Sequence, residues 1–198
     1  MIELYGSPKS SSGRSRWMIE EVGVPYEYKR VDVYRGGPSV DALREIYPPA
    51  LVPVLRDGEL LLVESIAINF YLAEKYRPEL FASDVTERAQ IYQWSLSAIT
   101  NLQPHVLTIM FQAMKPGSDD TAAKAARVKV DGLLAQLDAA LAGHEYLVAD
   151  RFTVADVNAG SVVNIAFALD MLKDAHPNVL TWMQGLRSRP AFARALKE

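Results

Sequence analysis

The chain of 198 residues contains no cysteine. That excludes disulfides, thiolate metal sites and any cysteine nucleophile. Histidine is scarce too, with three residues, and His105 has no metal-binding partner spaced near it, so no metal is expected. No run of about 18 apolar residues occurs, which leaves no candidate membrane span. The opening MIELYGSPKS lacks the apolar core of a signal peptide, and a cytoplasmic location is expected. Charge is nearly balanced at −3, so nothing draws the chain generally to nucleic acid or anionic lipid. Internal repeats and low-complexity segments are also missing. What remains, 49% hydrophobic and 23% charged residues, describes one globular domain or two small ones.

The most informative stretch is Tyr47 to Ala67, YPPALVPVLRDGELLLVESIA. Val52, Val54 and Leu55 favour a strand, and Asp57-Gly58 is a hairpin signal. Leu60 to Val63 is a short apolar run of strand length. Ser65 is placed to cap the helix that follows. Pro53 removes a ladder donor, so Val52-Pro53 marks a strand start or a special turn, with a cis peptide as one form. Unpaired backbone at Val52 can bond an extended peptide-like ligand, and the helix start at Ser65 suits a carboxylate.

Around this stretch the chain reads in order. Ile2 to Tyr5 is a strand, Gly6 to Gly13 a loop, and Arg14 to Val22 a helix with Trp17, Met18 and Val22 on one face. Gly23 and Pro25 end it. Tyr26 to Val33 is a second strand, and Ser39 caps a short helix through Tyr47. Residues 77–85 read as a linker in which Pro78 breaks a helix and Ser83 caps the next. Beyond it β signals fade. Thr86 to Met114 and Ser118 to Leu141 read as long helices divided by Lys115-Pro116-Gly117, with Pro104 as a point of kinking in the first. Val130, Leu133, Leu134, Leu137 and Leu141 form a core-facing stripe in the second. Thr153 and Asp156 make a capping box for a further, central helix carrying Val154, Val157, Val162, Ile165 and Leu169.

The residues Val52-Pro53-Val54-Leu55, Asp57-Gly58, Glu64-Ser65, Ala67-Ile68 and Tyr71-Leu72, in this order and spacing, resemble the glutathione-binding half of the glutathione S-transferase superfamily. The Thr153–Asp156 box resembles its helical half. The resemblance implies an α+β fold. A thioredoxin-like βαβ-αββα domain would cover 1–77, a linker 78–85, and an all-α helical bundle 86–198. It implies a cis Pro53, glutathione as co-substrate with no metal, and a homodimer, for which Ile66 to Tyr76 supplies an apolar stretch. Val52 would pair its backbone with the cysteinyl part of glutathione, and Glu64-Ser65 would hold the γ-glutamyl end. Leu51 stands where many relatives carry Gln or Lys, so the glycine carboxylate needs another cation: Arg35, Arg44 or Lys9.

Chemistry is expected where the first loop meets the Val52-Pro53 turn. The loop carries Ser7, Ser10, Ser11 and Ser12. Serines in such loops cap helices and satisfy turn backbone. They can also activate a thiol. Free thiols have a pKa of about 8.5. A hydroxyl donating to sulfur near a helix N-terminus lowers that value. In the serine-using classes (theta, phi and zeta) of the family, counting back from the helix arginine, here Arg14, makes Ser10 the first candidate. Ser11 is second and Ser12 third. The electrophile would be small and hydrophobic, against residues such as His105, Ile109 or Phe111. Conjugation, peroxide reduction and cis–trans isomerisation all fit a bound thiolate. The alternative is a non-catalytic binding or interaction module that keeps the fold.

Overall fold

The structure is a computed structural model and describes residues 1–115, 117, 119–172 and 175–197. It divides into two compact units, one of Met1–Glu79 joined by the segment from Pro190, the other Leu80–Arg189.

The first unit is built on a four-stranded sheet in the order β2-β1-β3-β4, with β1 (Ile2–Gly6), β2 (Tyr26–Arg30), β3 (Val54–Asp57) and β4 (Leu60–Val63). β1 and β2 run parallel and the other pairs antiparallel. Helix α1 (Ser12–Val22) makes the crossover between the parallel pair, as parallel strands require. α2 (Pro38–Ile46) and α3 (Ser65–Tyr76) complete the βαβ-αββα order. Strand alternation separates two cores. Tyr5 and Val54, which pair in register, pack with Val31, Val40, Leu43 and Ala50. Leu4 and Leu55, the next pair, are wholly buried and point to the opposite face. The Trp17, Met18 and Val22 face of α1 is buried as its spacing predicts, and Gly23, at φ 73°, ends the helix by bonding back to the Ile19 carbonyl.

Several local boundaries move, each for a physical reason. β2 stops at Arg30 rather than Val33 because its partner Gly6 is the last residue of β1. Ser39 is not a cap: Gly37 is, Pro38 takes the first helical position, and the Ser39 hydroxyl accepts from the Asp32 N–H at 3.1 Å. The hairpin loop is Gly58-Glu59, since Asp57 pairs with Leu60. Gly58 alone has positive φ there, at 61°, as a II′ turn asks of its first central residue. Ser65 is the first residue of α3 and Glu64 its N-cap.

The second unit is helical. α4 (Val85–Ser97) is capped by Asp84, not Ser83, through bonds to the Thr86 and Glu87 N–H groups at 2.7 and 2.9 Å. The expected single helix of Thr86 to Met114 instead passes through a π-turn, Ala98–Leu102, into α5 (Gln103–Ala113). Pro104 has no N–H for the carbonyl four residues back, and the wider turn accommodates that gap. α6 (Thr121–Ala140) carries the predicted stripe, with Val130, Leu134 and Leu137 buried. Its expected start at Ser118, and the breaker Pro116, lie outside the described residues. α7 (Val154–Ala168) is buried on most faces. The Thr153–Asp156 box is present. α8 (Pro177–Ser188) belongs to this unit, and α9 (Pro190–Ala195) to the first, where Phe192 meets Trp17 edge-on at 4.9 Å. Among the described residues, no helix is long and apolar enough to cross a membrane, and no group of three His, Cys, Asp or Glu could hold a metal ion.

The hairpin is tied to α3 by one carboxylate. Asp57 Oδ2 accepts from Tyr71 and Lys75, each at 2.7 Å, and from Tyr76. Burial alone would raise this carboxyl, but the bonds from Lys75, Tyr76 and Tyr71 hold it at about 2. A carboxyl depressed in the folded state stabilises above its unfolded value and loses that contribution as pH falls through the folded value. Wild type should therefore lose about 1–2 kcal/mol relative to Asp57→Asn between roughly pH 4 and pH 2. Urea midpoints of the two proteins across that window check it. A constant difference between them would remove Asp57 from this role.

Candidate functional site

The site is assembled by the first turn of α1. Residues 7 to 12 fold on themselves through serine side chains. The Ser10 hydroxyl lies 2.7 Å from the Ser7 carbonyl and 2.8 Å from Ser12 Oγ, and it accepts from the Ser12 N–H at 3.2 Å. Ser12 Oγ, fully buried, accepts from the Ser7 N–H at 3.2 Å. The Ser10 and Ser12 hydroxyls are thus engaged with each other and with the Ser7 backbone, while the buried Ser7 hydroxyl has no hydrogen-bond partner among the described residues. Ser11 is different. It is the N-cap of α1 but makes no side-chain cap bond. Its hydroxyl donates instead to the Val52 carbonyl, 3.3 Å away and 41 residues later. Val52-Pro53 is a cis peptide, as the family resemblance implies.

The same turn reaches the start of α3. Arg14 Nη1 donates to Ser65 Oγ at 3.3 Å, Ser15 Oγ donates to the Ser65 carbonyl at 3.4 Å, and Asn69 Nδ2 donates to the Arg14 carbonyl at 3.4 Å. Arg14 is buried, and burial lowers its guanidinium to about 10, so it remains a cation at neutral pH. A buried cation and a helix N-terminus together favour an anion beside Ser65. Glu64, exposed at φ 68°, precedes it.

Sequence reasoning used Arg14 only as a register mark and missed its place under Ser65. The signal was there: Arg14 precedes Trp17 and Met18 by three and four residues, which puts it on the buried face of α1. Of the expected cations, Arg44 is engaged by Asp41 at 2.9 Å. Lys9 and Arg35 are exposed. Tyr34 donates to the Lys9 carbonyl at 3.1 Å, linking the loop before α2 to the serine loop. Leu51 is 65% exposed beside Val52. Ile109 is core, Phe111 is exposed and His105 half-buried, all in the helical unit.

The glutathione S-transferase N-terminal domain model matches residues 1–74, and the C-terminal domain model matches residues 102–190. The chain belongs to the glutathione S-transferase family. It is 30% identical to glutathione S-transferase GstB of Escherichia coli (strain K12), over 99% of this chain and 98% of that one. It is 31% identical to a probable glutathione S-transferase of Oryza sativa subsp. japonica, over 96% and 93% of the two chains. The crystal structure of the theta class glutathione S-transferase from Xanthomonas axonopodis pv. citri with glutathione bound superposes with a TM-score of 0.88. The two are 32% identical, and the match covers 100% of this chain and 97% of that one. The protein is a glutathione transferase, with a thioredoxin-like first unit and a helical second one.

One glycine guards the serine loop of this transferase. A Cβ at Gly6 would lie 2.7 Å from Tyr28 Oη and 2.8 Å from Ser12 Cβ. Gly6→Ala should push Ser12 and its bonded serines out of place. That costs about 1–3 kcal/mol as overpacking and lowers glutathione turnover in the protein that still folds. Denaturation midpoints and turnover rates, both unchanged, would show the loop to be tolerant.

Proposed function

We propose that the protein activates the glutathione thiol as a thiolate for attack on a small hydrophobic electrophile, with Ser11 as the hydroxyl donor to sulfur. The observation that carries this reading is the Ser11–Val52 contact. Val52 is where an extended cysteinyl backbone would pair as an added strand. Its carbonyl would accept the ligand's cysteinyl N–H, releasing the Ser11 hydroxyl to turn to the sulfur. Ser10 is the weaker candidate because its hydroxyl already has two acceptors within its own loop. It serves to hold the loop closed.

The γ-glutamyl carboxylate would sit on Ser65 and the first N–H groups of α3, with Arg14 behind Ser65 supplying positive charge, and Glu64 would take the ammonium. Pro53 holds Val52 at the turn, and Leu51 offers apolar surface next to it. Arg35 would receive the glycine carboxylate, since Arg44 is engaged elsewhere. A glutathione-bound relative of similar fold supports the ligand assignment. Conjugation, peroxide reduction and isomerisation all begin from this same thiolate.

The experiment is a pair of pH–rate profiles. Ser11→Ala should leave glutathione affinity nearly intact, because Val52, Glu64 and Ser65 carry the binding. Its thiol pKa should rise toward about 8.5, and the rate at neutral pH should fall by about 10²-fold or more. Raising the pH should recover part of the loss. Ser10→Ala should change stability more than the profile. A shifted profile in Ser10→Ala with an unshifted one in Ser11→Ala would move the role to Ser10. No shift in either would end serine activation.

The family resemblance and the apolar stretch Ile66 to Tyr76 extend the proposal to a homodimer, for which C2 symmetry is the usual form. Sedimentation at micromolar concentration should give twice the chain mass. A single-chain mass there would reject it.

A further inference from the structure

The helical unit contains a cavity of about 340 Å³ between the α6–α7 connection and α8. Leu141, Tyr146, Trp182 and Leu186 form its apolar wall. Its volume lies in the range of small-molecule sites. None of its residues belongs to the glutathione site, so nothing about it rests on the serine assignment.

The walls are fixed before any ligand arrives. Asp156, itself fully buried, accepts through one oxygen from the Leu147 N–H at 3.1 Å and from Trp182 Nε1 at 3.0 Å. One carboxylate thus ties the connection to α8 and sets the width between them. Tyr146 is braced edge-on against Phe152 at 5.9 Å. The Glu145 N–H donates to Asp150 Oδ1 at 2.8 Å, which closes the connecting loop on itself. A cavity held this way needs little ordering on binding.

The polar rim decides the charge of the occupant. The N-terminus of α8 would by itself invite an anion. Its Asn178 and Val179 N–H groups are already taken, however, by Asp138 at 2.8 and 3.0 Å. The Asn178 side chain also gives its Nδ2 to Asp138, at 3.0 Å to the carboxylate and 3.2 Å to the carbonyl, and its amide oxygen has no donor among the described residues. The Thr181 hydroxyl donates to the Pro177 carbonyl at 2.9 Å, leaving only lone pairs to offer. Glu145 is exposed at the rim. The one imidazole there, His144, lies 3.8 Å from Asp150. The Glu145 carboxylate also accepts from the Tyr146 hydroxyl, and the Arg189 guanidinium acts on Tyr146 from outside the cavity lining, stacked over Phe152 at 3.5 Å. The lining itself therefore offers acceptors and the one carboxylate of Glu145, above an aromatic floor.

We propose that this cavity is a second binding site, for a small amphipathic amine. Its aromatic or branched apolar body lies against Trp182 and Tyr146, and its protonated amine meets Glu145, Asn178 and Thr181.

Gly185 gives a clean test. It lies on the α8 wall, and a Cβ built there meets no atom within 4 Å. Gly185→Leu should fill the cavity while favouring the helix, so its melting temperature should match or exceed that of wild type. Calorimetric titration of the whole protein with phenethylamine should show one saturable site. Gly185→Leu should abolish it. Glu145→Gln, at an exposed position, should weaken it by about tenfold through loss of a charge-assisted bond. Phenylacetate, with a similar body and the opposite charge, should bind at least about tenfold more weakly than phenethylamine. Absence of saturable binding to wild type would overturn the proposal. So would undiminished binding to Gly185→Leu or Glu145→Gln, or a preference for phenylacetate.

Discussion

The first turn of α1 touches two segments that the chain delivers from far away, and the candidate site exists because it touches both. Ser11 reaches the Val52 carbonyl across 41 residues. Arg14 and Ser15 reach Ser65 across 51 and 50. A helix turn is rigid, so fixing one contact constrains the other. The spacing between the Val52 turn and the start of α3 is then set by hydrogen-bonded helix geometry rather than by a flexible loop. The cost of this arrangement is a buried guanidinium, lowered to about 10 by its loss of water. A cation kept there at a helix N-terminus favours an anionic ligand over an empty site.

Two carboxylates do comparable work, and they differ in an instructive way. Asp57 gathers Tyr71, Lys75 and Tyr76 onto the hairpin end and is held at about 2. Asp156 gathers Leu147, Thr153 and Trp182 in the helical unit and is pushed up to about 6 by burial. Both carboxylates collect several donors. The separating factors are water and charge. Asp57 keeps some solvent and has a Lys75 ammonium at 2.7 Å, whereas Asp156 is wholly buried among neutral donors. Neutral hydrogen bonds recover only part of the solvation an ionised carboxylate loses.

Much was legible in local sequence because it depends on local physics. The alternation and apolar runs of Val52 to Val63, the α1 face, the α6 stripe and the Thr153–Asp156 box each need only residues within a few positions of one another. Caps are less legible. Ser39, Ser65 and Ser83 all have cap chemistry, yet Gly37, Glu64 and Asp84 occupy the positions. Several residues at each helix start can serve, and the neighbouring chain decides among them. α8 opens on Pro177, a local start signal, but the N–H groups that follow it are satisfied by Asp138 on another helix.

The sequence by itself determined the order of elements, the absence of any cysteine chemistry of the chain's own, and the Val52-Pro53 and Glu64-Ser65 motifs that mark the family. Each is a property of residue type and short spacing. Tertiary structure alone decided which serine faces Val52, because four hydroxyls in six residues are chemically equivalent until a distant carbonyl selects one. It alone placed Arg14 beneath Ser65 and opened the cavity beside Trp182. These depend on segments brought together from across each unit, and nothing within a local window of sequence carries that distance.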